Sequence, residues 1–555
     1  MAYPPRPAGR SATSTMPAAL PDEPSAAPAF AAEAAAEAAP LSALGPPSSA
    51  YLSRIVLVST LGGLLFGLDT GIASGMLVSL RSDLGHVLSA REQGVFVCAT
   101  TVGAIAGALG AGKLADWRGR RSAMIVSSVF FALGSIEQAA SQVLRELVLG
   151  RALVGVGVGM SSMVVPTFLA ECAPADVRGR MVGANSLLVT GGQVLAYAVA
   201  ALFYTLPHSW RWMVLLGAVP ALAQLAGLWT LDESPRWLSA HGRHVQARAG
   251  VVKLYPTASS EAVDAYLRGF ERGHEERVDK RGALKELFQS SNGRRALALA
   301  CGLQAAQQLC GANSILYFSS RLLLMAGFSA NPNVPALGVA VGNFLGTCLA
   351  LRLVDRLGRR RLLLGATAAA SVALSMLAVS LGQIRMKDVV DGQGDGPAGE
   401  QAGAWAYVSL VMMIAFIFSY ALGLGIIPWL VQSEIFPGRL RGVGGGLATA
   451  TNWTCNLLVA ATYLDLVRLI TPQGTFWGYA GIAALSWGFT YVYLPEMAGV
   501  ELSDATRLFD AEQAHHRGAA QGEYEPLRPD GEEWDAEDDE PSIRPVARPV
   551  DGADS

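Results

Sequence analysis

Leu114–Arg121 reads LADWRGRR and Leu353–Arg360 reads LVDRLGRR. Asp116 aligns with Asp355, Gly119 with Gly358 and Arg120 with Arg359, all at an offset of 239. A second pair keeps the order: Glu171–Gly179 (ECAPADVRG) matches Glu434–Gly442 (EIFPGRLRG) at an offset of 263, so Glu171 pairs with Glu434 and Arg178 with Arg441. The offset grows because the second copy carries a polar insertion at roughly Ile384–Gly403. The chain therefore contains one unit twice, and the long charged stretch Asp232–Arg295 joins the copies.

The material around these repeats is apolar. Of 555 residues, 51% are hydrophobic and 16% charged, with 61 glycines and a mean hydropathy of +0.34; a membrane protein has this composition and a soluble enzyme does not. About 20 apolar residues cross the hydrocarbon, and Ile55–Leu80 exceeds that with a single charge, Asp69. Comparable runs predict twelve helices, near 54–78, 94–115, 121–140, 146–170, 182–204, 211–231, 296–320, 335–355, 361–383, 404–432, 441–466 and 474–494. The six cysteines lie in or beside these runs without zinc or disulfide spacing, so they read as free buried thiols. Residues 1–50 are rich in Ala, Pro and Ser, lack the features of a cleaved signal peptide and read as a disordered tail.

Charge sets the topology. Asp510–Ser555 holds 14 acidic and 4 basic residues, which leaves the remainder at 38 minus 31, or +7. Arginines concentrate in alternate short loops: Arg118, Arg120 and Arg121; Arg178 and Arg180; Arg356 and Arg359–Arg361; Arg439 and Arg441. The positive-inside rule makes that side, with both termini, cytoplasmic. The expected order is an N-terminal tail (1–50), a six-helix half (51–231), a cytoplasmic linker (232–295), a second six-helix half (296–495) and an acidic, mostly disordered tail (496–555).

Repeated halves place a substrate site near the bilayer midplane and operate by alternating access. The repeated Asp116, Arg120, Glu171, Arg178, Asp355, Arg359, Glu434 and Arg441 fall at cytoplasmic helix ends, where they are expected to pair across the halves when the protein opens outward. A topology signal alone needs basic residues but no repeated acids.

Eight stretches now form an ordered set: GGLLFGLDTG (Gly62–Gly71), GKLADWRGRR (Gly112–Arg121), VPTFLAECAPADVRG (Val165–Gly179), ESPRWL (Glu233–Leu238), QQLCGANSILYF (Gln307–Phe318), LVDRLGRRR (Leu353–Arg361), PWLVQSEIFP (Pro428–Pro437) and PEMAGVEL (Pro495–Leu502). They resemble the signatures of the sugar-porter branch of the major facilitator superfamily, over the whole membrane body. Within it, NSLLVTGGQVLAY (Asn185–Tyr197), RWMVLLGAVPALAQ (Arg211–Gln224), CGLQAAQQLCGANSILYFS (Cys301–Ser319), ATATNW (Ala448–Trp453) and ITPQGTF (Ile470–Phe476) resemble the fungal myo-inositol permeases, which are proton symporters of the plasma membrane. The resemblance implies an all-α major facilitator fold of two pseudo-symmetric six-helix halves, and a neutral polyol or sugar and a proton as the transported species. Three positions depart from the pattern: Asp232 stands where a proline precedes Glu233, Phe318 follows Tyr317 where a second tyrosine is common, and Ile427-Pro428 precedes Trp429 where the family has Pro-x-Pro.

An uncharged polyol needs side chains that both donate and accept hydrogen bonds, and an aromatic face. On the seventh helix Gln304, Gln307 and Gln308 share neighbouring faces, with Asn313 beyond Gly311, a glycine suited to loosening the helix. The resemblance assigns substrate contact to Gln307, Gln308 and Asn313, and also to Gln193, Asn343, Trp429, Asn452 and Asn456. Asn452 and Asn456, four apart, share a helix face independently of it. The bland alternative is interhelical hydrogen bonding, about 0.6 kcal/mol per bond.

Asp69 lies within an uncharged helix, where an ionisable group costs roughly 2.5–3.5 kcal/mol and marks function. In sugar porters this position is an acid in proton-coupled members, and Arg151 is the family's partner for it. Asn452-Trp453-Thr454 fits a glycosylation acceptor but lies inside a span, and Gly155, Gly157 and Gly159 read as close helix packing rather than a nucleotide loop. Nothing in the chain suggests an enzyme, and no metal, cofactor or nucleic-acid partner is expected. The functional alternatives are a proton-coupled myo-inositol transporter, a proton-coupled transporter of a hexose or another polyol, and a non-transporting nutrient sensor that signals through tail-bound regulators.

Overall fold

A bilayer offers no water to backbone N–H and C=O groups, so a spanning chain must satisfy them within helices or a closed barrel. The computed structural model describes residues 44–80, 82–174, 177–275, 280–384, 402–436 and 440–496, and these are helical throughout the bundle. The first half consists of α1 (Ser49–Ser79), α2 (Ala90–Arg118), α3 (Arg120–Ala140), α4 (Leu144–Cys172), α5 (Arg178–Phe203) and α6 (Ser209–Leu228). Four shorter helices follow: α7 (Pro235–Ala240), α8 (His244–Leu254), α9 (Ser260–Glu275) and α10 (Lys280–Gln289). The second half contains α11 (Ser291–Leu309), α12 (Ala312–Ala326), α13 (Asn333–Leu357), α14 (Arg359–Gly382), α15 (Ala404–Leu422), α16 (Ile427–Glu434) and α17 (Arg441–Tyr493).

Twelve spans emerge once the breaks are read. At 1.5 Å per residue the 53 residues of α17 would reach about 80 Å, far beyond a hydrocarbon core of about 30 Å. The helix is interrupted at Ile470 and at Thr471 (φ 66°), just before Pro472, so it supplies the eleventh and twelfth spans. The seventh span is α11 plus α12, broken at Gly311 (φ 82°), as the glycine beside Asn313 suggested. The tenth is α15 plus α16, which the sequence reads as one uninterrupted run. The turn at Gly423–Ile426 divides it and exposes the carbonyls of Leu424 and Gly425 to a side chain of α11.

Within the first half α1 packs on α5 and α6, and α4 on α2 and α3; in the second, α14 packs on α15 and α17, and α13 on α15. Glycine allows the closest approaches. A Cβ at Gly155 would meet the Thr100 backbone and one at Gly159 the Ala104 backbone, which is the close-packing role expected of that glycine series. The halves meet where α1 touches α12, α2 touches α17 and α5 touches α13.

The seam is closed on the face away from the arginine loops. Ser74 bonds Ser319 (3.2 Å) and Ser320 (3.1 Å), and Tyr197 bonds Ser319 (2.8 Å). Asn331 and Asn333 donate to the carbonyls of Ala201 (2.9 Å) and Ala200 (3.1 Å), and Arg321 donates to Gln93.

The linker docks on the first half. Ser48 N–H donates to the Leu254 carbonyl (2.8 Å), and Leu44 is fully buried with Trp237, Val251 and Val263. The remainder of the N-terminal tail, the insertion over 385–401 and the acidic tail from 497 lie outside the described residues.

Gly311 supports a direct test of the seventh-span break. Its positive φ disfavours any side chain, and an added Cβ would meet the Tyr479 ring. Gly311→Ala is expected to lower stability by about 2–4 kcal/mol, combining left-handed strain with overpacking. Thermal unfolding of the detergent-purified protein measures this, and an unchanged melting temperature would contradict the assignment.

Candidate functional site

Both halves carry the repeated charges at the same helix ends, and in this structure they pair within each half. Arg120, at the start of α3, lies 3.0 Å from Glu171 and 3.7 Å from Asp116. Arg359, at the start of α14, lies 3.1 Å from Glu434 and 3.4 Å from Asp355. Each set has a third acid, which lies outside the repeated stretches. Glu233 accepts from Arg120 N–H (2.9 Å) and Arg121 N–H (3.0 Å), and Glu496 accepts from Arg359 N–H (2.9 Å). A carboxylate at a helix N-terminus is favoured by the orphan N–H groups and the dipole. The signal was present, since 496 minus 233 is 263, the offset of the Glu171–Glu434 pair. Burial pushes Glu233 above the usual carboxylate range despite its backbone donors. Arg178 stands apart from this cluster, exposed at the start of α5, and Arg441 starts α17.

Asp232, in place of the family's proline, ties the linker down. It pairs with Lys253 at 2.7 Å and accepts from Tyr51 Oη at 2.8 Å. Burial raises its carboxyl, but the Lys253 and Tyr51 bonds outweigh that and hold it below the ordinary value.

In the second half five of the seven candidate amides, Gln307, Gln308, Asn313, Asn452 and Asn456, join Gln304 and Gln432 in one network. Gln304 Nε2 donates to Gln432 Oε1 (2.7 Å), and Asn452 Nδ2 donates to the side-chain oxygens of Gln304 and Gln307 (2.6 Å each). Gln308 donates to Asn452 (3.1 Å) and accepts from Asn456 (3.1 Å) and Asn313 (2.5 Å). Gln307 also reaches the Leu424 carbonyl at 2.6 Å, so the turn in the tenth span takes part in the site. Across the seam Thr101 donates to Asn456 (3.1 Å), while Asn343 and Gln193 form a separate bridge at 2.6 Å.

All seven candidate amides except Asn313 are below a tenth exposed, and Trp429, 37% exposed, sits on α16 three residues before Gln432. The sequence missed Gln432 and Thr101. Gln432 lies within the quoted PWLVQSEIFP stretch, whereas Thr101 is one hydroxyl in an apolar run and carries no signal of its own.

The charged pair stands beside this network. Arg151, 1% exposed, donates to Asp69, and its guanidinium lies 4.8 Å from the Phe96 ring centroid. Nε and Nη2 of Arg151 are buried without hydrogen-bond partners. Tyr317 of α12 is buried between the two regions, with Asn456, Asp69 and Arg151 as its polar and charged neighbours.

Known proteins align with this chain over its membrane body. It is 39% identical to myo-inositol transporter 1 of Cryptococcus neoformans var. grubii over 468 residues, covering 83% of this chain and 81% of that one. It is 36% identical to myo-inositol transporter 2 of Schizosaccharomyces pombe, covering 83% and 82%. Among solved structures, the partially occluded inward-open form of the xylose transporter XylE from E. coli superposes with a TM-score of 0.68 at 25% identity, covering 81% of this chain and 100% of that one. The XylE proton:xylose symporter bound to 6-bromo-6-deoxy-D-glucose superposes at 0.66 with 26% identity, covering 83% and 99%. The model of the sugar (and other) transporter family matches residues 55–509, and the chain belongs to that family.

Proposed function

We propose that this protein imports myo-inositol by alternating access, driven by protons, across the plasma membrane with both termini cytoplasmic. One observation carries the reading: a buried Asp69–Arg151 pair lies next to Tyr317, which also neighbours Asn456 in a site whose polar lining is uncharged amides and hydroxyls. Such a lining suits a neutral ligand rich in hydroxyls, because amides and hydroxyls each donate and accept. Gln193, Gln307, Gln308, Asn313, Asn343, Asn452 and Asn456 contact the solute, with Trp429 at its face. The names of the relatives favour myo-inositol over a hexose. Closure of the seam on the outer face corresponds to an inward-facing state, and the Arg120–Glu171 and Arg359–Glu434 clusters hold each half's cytoplasmic helix ends together. Residues 51–231 and 296–495 act as the two rocking halves, 232–295 as the linker between them, and the tails 1–50 and 496–555 lie in the cytoplasm.

The test is uptake of radiolabelled myo-inositol by transport-deficient cells expressing the chain, with and without a protonophore. Protonophore-sensitive accumulation that unlabelled myo-inositol competes away, and glucose does not, is the expected result. Surface-located protein that takes up no inositol would overturn the substrate assignment.

A further inference from the structure

Asp69 has a second neighbourhood, on the side away from the amides. A cavity of about 20 Å³ lies inside the first half between α1, α3, α4 and α6, lined by Asp69, Phe131, Ser135, Gln138, Val154 and Gly217 among others. One water needs roughly 10–15 Å³ and two or more polar partners. The walls are otherwise apolar, so the polar groups are Asp69, Ser135 and Gln138.

Gln138 is the unusual member. It is 2% exposed, and its Nε2 is directed to the Gly134 carbonyl at 3.3 Å, which fixes the amide orientation. Its Oε1 is buried with no hydrogen-bond partner. A buried acceptor left unpaired costs about as much as a lost hydrogen bond and calls for a reason. Here the unpaired oxygen belongs to a side chain lining the same water-sized space as the Asp69 carboxyl, which faces the buried Arg151.

We propose that Gln138, with Ser135, positions a water against Asp69 and that this water carries the proton between Asp69 and the outer end of α3. The inference rests on the proton-coupled reading given above. Geometry supports the direction. Along α3 the polar groups continue outward from Ser135 and Gln138 to Ser141, which is 2% exposed and donates to the Gln138 carbonyl at 2.7 Å. The charged or titratable groups facing Asp69 are Arg151 from α4 and Tyr317 from α12; the cavity faces of α3 and α6 contribute none. At the outer end Arg211 of α6 donates to the Ala139 carbonyl at 2.6 Å, and Glu137 is half-buried beside Gln138. The proton thus enters through the first half alone, while the solute passes between the halves, and neither has to displace the other. A side chain or water within hydrogen-bond reach is what a proton relay requires.

The experiment compares wild type, Gln138→Met and Gly217→Ala in proteoliposomes, measuring inositol accumulation driven by a pH gradient and inositol counterflow at equal pH. Gln138→Met keeps the volume and removes the acceptor. Gly217→Ala adds a Cβ 3.1 Å from Ser135 Oγ and fills the cavity from another helix, which keeps the test decisive if the first variant misfolds. Expected is a fall of about tenfold or more in the rate of gradient-driven uptake, with the rate less responsive to external pH, and counterflow within about twofold of wild type, because a relay group acts only on proton movement. Gradient-driven uptake and a pH profile equal to wild type in both variants would overturn the relay. Loss of counterflow along with uptake in both would overturn it too, assigning the residues to structure. Absence of accumulation by wild type would instead overturn the coupled reading on which the relay rests.

Discussion

Asp69→Asn is expected to lose accumulation of solute above its external concentration while retaining exchange. Asparagine keeps an oxygen to accept from Arg151 and matches the aspartate in size, but it cannot release a proton. The magnitude follows from the driving force. One proton entering down roughly 100 mV and one pH unit brings about 2.3 plus 1.4 kcal/mol, which at 1.4 kcal/mol per decade supports about 400-fold to 500-fold accumulation of a neutral solute. Without coupling the limit is equality. Counterflow, which needs no net proton movement, should persist, and that separates lost coupling from a lost fold. A mutant that still concentrates inositol against a protonophore-sensitive gradient would remove Asp69 from the mechanism.

The physical basis is the isolation of the pair. Arg151 is 1% exposed and two of its guanidinium nitrogens have no hydrogen-bond partner, so the Asp69 carboxylate and the Phe96 ring are the favourable contacts this structure gives its charge. Removing one member of a buried pair is strongly destabilising because the other charge is left uncompensated. On the proton-coupled reading, protonation of Asp69 would do the same reversibly until the halves rearrange or the proton departs. Tyr317 lies between this pair and Asn456, and Asn456 accepts from Thr101 across the seam, so on the proposed function proton binding, solute binding and the contact between halves would meet in one group of neighbours.

Much of this was legible in the sequence, for identifiable reasons. Span positions follow from apolar length. The pseudo-symmetry follows from Asp116 and Asp355, and the intramembrane acid from the scarcity of charge around Asp69. The amides on α11 and α17 were readable because helical spacing puts Gln304, Gln307 and Gln308, and then Asn452 and Asn456, on common faces. What stayed hidden depends on contacts between distant segments. The break at Gly423–Ile426 lies in a run so apolar that composition gives no reason to interrupt it, and only the bonds from Gln307 to Leu424 and Gly425 reveal its use. Glu496 stands inside the Pro495–Leu502 signature, outside the repeated stretches, and only the shared offset of 263 relates it to Glu233. Gln138 carries no signal of its own in the sequence, and its place beside the space between four helices depends on how they pack.

Gln308→Ala should produce the second large loss, in solute recognition and not in coupling. Gln308 makes four amide bonds: it donates to Asn452 and Gln307 and accepts from Asn313 and Asn456. These amides hold one another in place, and on the proposed function a polyol would exchange some amide–amide bonds for amide–hydroxyl bonds of similar strength, with orientation set in advance. Truncation leaves the donors of Asn313 and Asn456 unpaired in a buried site, at about 1–3 kcal/mol each. Some of that penalty is relieved by water, and the rest appears as poorer binding, which gives an expected rise in KM of about 10-fold to 100-fold at 1.4 kcal/mol per decade. The ratio of accumulated to external inositol at saturating solute should stay as in wild type, because Asp69 and Arg151 are untouched. Initial-rate uptake across a range of inositol concentrations, together with steady-state accumulation, measures both quantities. An unchanged KM would assign the amide network to helix packing alone. A normal KM with lost accumulation would instead place Gln308 in proton coupling, reversing the division of labour between the amides and the charged pair.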